Sequence, residues 1–231
     1  MAKVLLTAIV AGISGSMAGT TFARNAGGAY MRTRTAPVNP STTDQSIVRQ
    51  RLGSLSGAWR SLSDEQRASW TAARESFPRT NAFGNTYYMS GQQLFTSLNT
   101  NLGTAGQTLR LTAPAPVVIP ELGITELVAD VSSVSLTATF ADPTPAGYTM
   151  VTQATPLLSP GIGFYKSRFR QVSLDPASVS GAVATLNLYT AWGAKYGALQ
   201  TDQRIAVRCY LIDETTGQAG TPVEASVVVV P

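Results

Sequence analysis

Histidine is absent from this chain, and cysteine occurs once, as Cys209. A Ser-His-Asp triad or a Cys-His pair needs an imidazole, and a zinc finger or disulfide framework needs further thiols, so these chemistries are excluded at the outset. The carboxylates Glu121, Glu126, Asp130 and Asp142 remain as conceivable acid/base groups or calcium ligands. Their spacing matches neither a loop whose alternate residues converge on one ion nor a paired-carboxylate hydrolase, and they read as solvated loop and strand-end positions. Gly12-x-x-Gly15-x-x-x-Gly19 lacks both the Lys-Ser/Thr ending and the following helix of a phosphate loop. Cys209 alternates in phase with Ile205, Val207 and Leu211, the pattern of a small hydrophobe inside a core strand rather than a reactive thiol. The expectation is a chain that is not an enzyme and holds no cofactor and no metal.

The arginines carry a stronger signal. Of 231 residues only 13% are charged, about half the usual share, yet residues 1–110 hold 11 Lys and Arg against 4 acids, while residues 111–231 hold 6 against 9. Ten of those 11 cations are arginine, whose planar fork favours directed pairing with carboxylate or phosphate. Arg24, Arg32 and Arg34 fall along a candidate hairpin, and Arg49, Arg51, Arg60, Arg67 and Arg74 on the outer faces of candidate helices. Too few acids lie nearby to pair them internally, which points to an external acidic partner. Nucleic acid ranks second, because aromatic interleaving and a groove-reading motif are both missing. Arg24, Arg32, Arg34, Arg49, Arg51 and Arg67, with Tyr87 and Tyr88 from an aromatic loop that also holds Phe83, form the candidate partner-docking set. Lys166, Arg168 and Arg170 make a separate basic stripe, expected on a charge-protected strand.

These residues need elements to position them. Asn25-Ala26-Gly27-Gly28 marks a hairpin turn between strands at 20–24 and 29–34, and Pro37 and Pro40 stop the second strand. Three capping boxes follow, Thr42 with Gln45, Ser63 with Gln66 and Ser90 with Gln93. Each precedes a helical apolar period: Val48, Leu52, Leu55, Trp59 and Leu62; Trp70, Ala73 and Phe77; Leu94, Leu98 and Leu102. Pro78 should end the second helix and Gly103 the third, with 78–89 an irregular loop between them. Trp59, Trp70, Phe77 and Phe95 supply a small shared core. Residues 1–20 have the outline of a signal peptide, but Gly12, Gly15 and Gly19 interrupt the stretch that the apolar run at 4–10 begins, so a buried strand and turn is the expectation and a cleaved signal the alternative. No run of around 18 apolar residues suggests a membrane span.

From Ala113 the composition changes. Pro114, Pro116 and Pro120 define a linker over 113–122, and β-branched alternation then predicts about seven strands, at 125–130, 134–140, 148–154, 164–172, 183–190, 204–212 and 223–230. That density of short strands is the signature of an immunoglobulin-like or fibronectin type III sandwich, and a jelly roll needs more chain. The fold class is therefore α+β: a β-hairpin plus three-helix docking module over 1–112, the linker at 113–122, and an all-β immunoglobulin-like sandwich over 123–231.

The run Gly12-Ile13-Ser14-Gly15-Ser16, Gly19, Gly28, Arg32, Pro37-x-Asn39-Pro40-x-Thr42, Gln45, Arg49, Trp59, Leu62, Gln66-Arg67 and Trp70 resembles the N-terminal module of small virion structural proteins encoded by bacteriophages. The resemblance spans about residues 10–100. The second half is similar only to the immunoglobulin-like additions common on phage head and tail proteins. The resemblance implies a non-enzymatic protein of the virion: a capsid-associated auxiliary or decoration protein docked by its first half, or else a neck, tail or baseplate component. Other virion proteins are the implied partners, with self-association in a symmetric assembly and no membrane contact. A module recognising host-surface glycans through Tyr148, Phe164, Tyr165, Trp192 and Tyr196 is the further alternative.

Overall fold

The computed structural model describes residues 2–3, 13–35, 38–142, 144–176 and 184–231. The strand expected at 4–10, Gly12, Pro37 and the first residue of the strand expected at 183–190 lie outside them. Both helices and sheets are present, and the chain divides into two compact units: Met1–Thr100 with Arg110–Pro116, and Asn101–Leu109 with Val117–Pro231.

In the first unit β1 (Ala2–Lys3), β2 (Gly15–Met17), β3 (Thr20–Asn25) and β4 (Gly28–Thr33) form an antiparallel sheet in the order β1-β4-β3-β2. β3 and β4 turn at Ala26-Gly27, with Asn25 opposite Gly28 and the Asn25 carboxamide oxygen accepting from Gly27 N at 3.0 Å. Helices α1 (Thr43–Ser61), α2 (Asp64–Ala72) and α3 (Gly91–Thr104) follow, the last turn of α3 from Asn101 being counted with the second unit.

The three caps differ. Ser63/Gln66 and Ser90/Gln93 close both reciprocal bonds, whereas Thr42 accepts from Gln45 N at 3.3 Å and the Gln45 side-chain oxygen is buried without a partner among the described residues. Leu55, Leu62, Trp70, Phe77, Leu94, Phe95 and Leu98 form one apolar core, with the Phe95 ring 5.4 Å from Trp59 and 5.3 Å, edge-on, from Trp70. Gly91 has no room for a side chain, since a Cβ there would stand 2.8 Å from Thr71 Oγ1 and 3.1 Å from Thr71 N.

The apolar period of α1 is buried only in part, and two local expectations need correction. Val48 and Leu52, which share the helical period of the core, are 56% and 45% exposed, because only the C-terminal half of α1 has partners to pack against. The third helix continues through Gly103, and Gly106 stops it by taking φ +73°, with Gln107 N donating to Leu102 O. The loop at 78–89 contains a small hairpin, β5 (Arg79–Thr80) with β6 (Thr86–Tyr87), whose turn is organised by Asn81: its side-chain oxygen accepts from Phe83 N and Asn85 N.

The proline segment is anchored at both ends. Asn99 accepts from Arg110 N and donates to Arg110 O, Trp70 Nε1 donates to Leu111 O at 2.8 Å, and Pro114 is buried, all within the first unit. Val117 N donates to the Gln218 side chain at 2.6 Å within the second.

The second unit holds β7 (Ile124–Asp130), β8 (Ser135–Phe140), β9 (Tyr148–Ala154), β10 (Arg170–Pro176), β11 (Ala184–Asn187), β12 (Arg204–Asp213) and β13 (Val223–Val228). They make two antiparallel sheets, β10-β9-β12-β13 and β11-β8-β7. One apolar cluster draws on both, including Leu136, Ala138 and Phe140 from one sheet and Met150, Ala154, Ile205, Val207, Cys209 and Leu211 from the other.

The strand expected at 183–190 stops at Asn187, and an unforeseen helix α4 (Tyr189–Tyr196) inserts Trp192 into this core. The Trp192 indole donates to Thr155 O at 2.9 Å, and Tyr196 Oη donates to Ala154 O at 3.2 Å. Residues 166–168 form a 3-10 turn rather than a strand. That turn brings the Tyr165 and Phe169 rings to 5.9 Å, a separation that four residues of extended chain, about 13 Å long, do not permit.

The complete boxes should matter more than the half-box. Ser63→Ala and Ser90→Ala should each cost about 1 kcal/mol, and Thr42→Ala distinctly less, because it caps the half of α1 that packs on little. Urea denaturation of the three variants checks the ranking, and equal losses would contradict it.

Candidate docking surface

The site expected from sequence is a surface, and the structure distributes its residues over three places in the first unit. On β4, alternation puts Arg32 with Tyr30 on one face of the sheet, and register places Thr21 of β3 opposite Arg32 and Ser16 of β2 opposite Thr21. The Ser16 and Thr21 hydroxyls are 2.8 Å apart, giving a polar row that ends in an exposed guanidinium. Arg34 follows in phase just beyond the strand, its backbone N held by Gly19 O. Neither arginine side chain has an ion-pair or hydrogen-bond partner among the described residues.

Arg24 belongs to the opposite face, which also carries Phe22, Met31 and Met17; Met17 is 71% exposed. Among the described residues of β2–β4 none enters either apolar core.

The helical arginines divide by role. Arg49 is exposed and donates to the Asn39 side chain at 2.6 Å. Arg51 is half-buried and engaged within the protein. Arg67 is a helix cap: its guanidinium donates to Arg60 O at 2.7 Å and, at 3.4 Å, to Trp59 O, which also accepts from Leu62 N, both carbonyls in the last turn of α1, and to Asp64 at 3.2 Å.

Tyr87 and Tyr88 lie at the third place. Tyr88 is exposed, and half-buried Tyr87 lines a cleft of about 320 Å3 with Asn25, Ala26, Gly27, Met89 and Gln93. Asn81 ties its two sides together by donating to Gly27 O at 3.2 Å. A phenol, a thioether, two carboxamides and bare backbone offer shape and hydrogen bonding. Sequence marks Asn25 as a turn residue and Gln93 as a capping residue, and gives neither these two nor Asn81 a place at a surface site. The asparagine-glycine pattern Asn81-x-x-Gly84-Asn85 was the available signal.

The aromatics considered for glycan recognition do not gather on one loop surface. Trp192 is fully buried, Tyr148, Tyr165 and Tyr196 are half-buried, and Phe164 alone of the five is 75% exposed. Among the described residues no group of three or more His, Cys, Asp or Glu could hold a metal ion, and no helix is long and apolar enough to cross a membrane.

The shifted ionisable groups serve turns and packing. For Asp130, the Ser132 hydroxyl first and then Ser133 hold the carboxyl below its usual range. At Asp213 burial disfavours the charge, but the hydroxyls and backbone N–H groups of Thr215 and Thr216 outweigh it and leave the carboxyl lowered. Burial raises Tyr196 and Tyr210, against the nearby Arg170 and Arg208.

No family model, curated protein or solved structure matches this chain.

Two measurements test these roles. Arg67→Ala should destabilise by about 1–2 kcal/mol through two lost cap bonds, while Arg32→Ala should stay within about 0.5 kcal/mol, as read by urea melts. Because the folded carboxyl of Asp213 is lowered, its stabilisation is present above the unfolded value of about 3.9 and is lost as pH falls through the folded value. Asp213→Asn should therefore be less stable than wild type near neutrality, with the gap closing below about pH 4. A gap independent of pH would contradict the charge's role.

Proposed function

We propose that this chain is a structural protein of a bacteriophage particle, most consistent with a capsid-associated auxiliary or decoration protein that docks by its first unit. The observation that carries this reading is a run of exposed apolar side chains continuing the packed face of α1: the core-side stripe runs on through Val48 and Leu52, 56% and 45% exposed, with Ile47 at 50%. Among the described residues the β1–β4 sheet adds none to either core. Surfaces of this kind mark contacts with other protein. The virion setting rests on the resemblance of residues 10–100, and the missing histidine fits a role without catalysis.

The β-hairpin and three helices are read here as the docking module, and the second unit as an immunoglobulin-like sandwich. Strand order supports the latter: seven antiparallel strands as a sheet of four and a sheet of three around one core, with the fourth strand beside the third as in fibronectin type III arrangements. Such a domain projects from a particle or bridges neighbours, and many symmetric copies make weak single contacts firm.

Val48→Lys and Leu52→Glu in the full chain test the docking face. Both positions are exposed, so each variant should fold with stability within about 0.5 kcal/mol of wild type, while recovery with purified particles falls at least tenfold. Wild-type recovery of both variants would reject α1 as the docking face. Absence of the wild-type chain from particles would reject the virion reading.

A further inference from the structure

Among the described residues two sheet faces carry exposed polar side chains, and their chemistry is complementary. The first 43 residues contain Lys3, Arg24, Arg32 and Arg34 and no acid, since Asp44 is the first carboxylate. Arg32, Thr21 and Ser16 form one row across the N-terminal sheet, with Arg34 next along the same side. Two such faces repel one another, so the sheet does not pair with its own copy face to face.

In the second unit the strands of the three-stranded sheet, ITELVAD, SLTATF and ATLN, contain two carboxylates and no cation. Alternation buries Leu127, Ala129, Leu136, Ala138, Phe140 and Leu186 on the core side. The other side presents cross-strand rows of Glu126, Thr139 and Thr185, then Val128, Thr137 and Asn187, then Asp130 and Ser135. Glu126 is exposed and has no ion-pair partner among the described residues. One face ends its hydroxyl row in a guanidinium, and the other ends its hydroxyl row in a carboxylate.

We propose that copies of this chain associate head to tail, the Arg32/Arg34 face of one copy packing on the Glu126/Thr139/Thr185 face of the next. The contact rests on the self-association within the reading above and gives it a direction. Arg32 supplies a fork for the Glu126 carboxylate, and serine and threonine hydroxyls match across the flat remainder.

The expected strength follows from size. Strands of six residues at about 3.3 Å per residue, three abreast at about 4.8 Å, offer a patch near 20 by 14 Å. That is well under the roughly 800 Å2 per partner of a stable complex. The single contact is therefore weak, in the micromolar-to-millimolar range, and becomes firm only when copies are held in an array.

Sedimentation of the full chain at rising concentration, at low and high salt, provides the test. Wild type should self-associate at low salt and dissociate as salt rises. Arg32→Glu with Arg34→Glu should weaken association at least tenfold, as should Glu126→Arg, with unchanged melting curves. A chain carrying all three changes should associate again. Unchanged association after either swap, no recovery in the triple variant, or a monomer up to about 1 mM overturns the contact. Loss of duplex DNA binding by the arginine swap, with self-association intact, also overturns it. Particle recovery of the same variants separates the two readings: swapped chains that self-associate normally and still enter particles reject this contact while leaving the virion reading in place.

Discussion

A β-sheet needs a covered face. Short strands gain little from their ladder alone, because their backbone groups exchange water for one another at small net benefit, and the free energy that holds them comes from apolar burial. The second unit meets this need internally, with Leu136 and Phe140 of one sheet sharing a cluster with Met150 and Leu211 of the other. Among the described residues the β1–β4 sheet joins neither cluster: half-buried Phe22 lines one face with Met31 and Met17, and none of the three enters a core. The uncovered stripe on α1 repeats the pattern. Both features make sense in a chain whose folding is completed by a neighbour, which is why a contact role explains the first unit better than a pocket does.

Arginine illustrates how one residue type divides between structure and surface. Arg67 holds the last carbonyls of α1, and Arg208 lies 4.2 Å from the Phe169 ring centroid while donating twice to Glu224 on the paired strand. Arg204 covers Tyr165 in the same way at 5.2 Å. These side chains are fixed by carbonyls, rings and a carboxylate of their own unit. Arg32 and Arg34 have no such partner among the described residues, and their sheet contains no acid that could supply one. The basic excess noted from composition therefore overstates the available charge, and the exposed arginines without a side-chain partner among the described residues include Arg32 and Arg34 on β4 and its continuation, with Arg24, Arg60 and Arg79 elsewhere.

What was legible in the sequence was local. A capping box spans three residues, and both bonds at Ser63/Gln66 and Ser90/Gln93 depend on nothing outside that span. Strand β9 coincides with the expected 148–154, because its β-branched run is bounded by turn residues on both sides. What escaped depends on distant partners. Val48 and Leu52 keep the helical period of core residues, and only the extent of the neighbouring helices decides that they are exposed. Helix α4 has Leu188, Trp192 and Tyr196 at intervals of four, but its aromatics favour strands and Gly193 suggests a turn; the bond from Trp192 to Thr155, 37 residues away, overrides both. Arg67 offered no local sign that it would cap the preceding helix. The hydroxyl rows of the docking faces were likewise invisible until cross-strand register aligned Ser16 with Thr21 and Glu126 with Thr139.

Two different faces on one chain have a geometric consequence that a self-complementary patch lacks. A twofold contact is closed once made, whereas a head-to-tail contact leaves a basic face free at one end and an acidic face free at the other, so growth stops only if the rotation between copies closes a ring. With a patch this small, free chains gain too little per contact to grow unaided. A surface that already holds copies at a fixed spacing supplies the missing effective concentration. On the proposed reading weakness is functional: the same contact that fails to polymerise the free protein would lock neighbours together once α1 had docked, and the particle, rather than the chain, would set where the array ends.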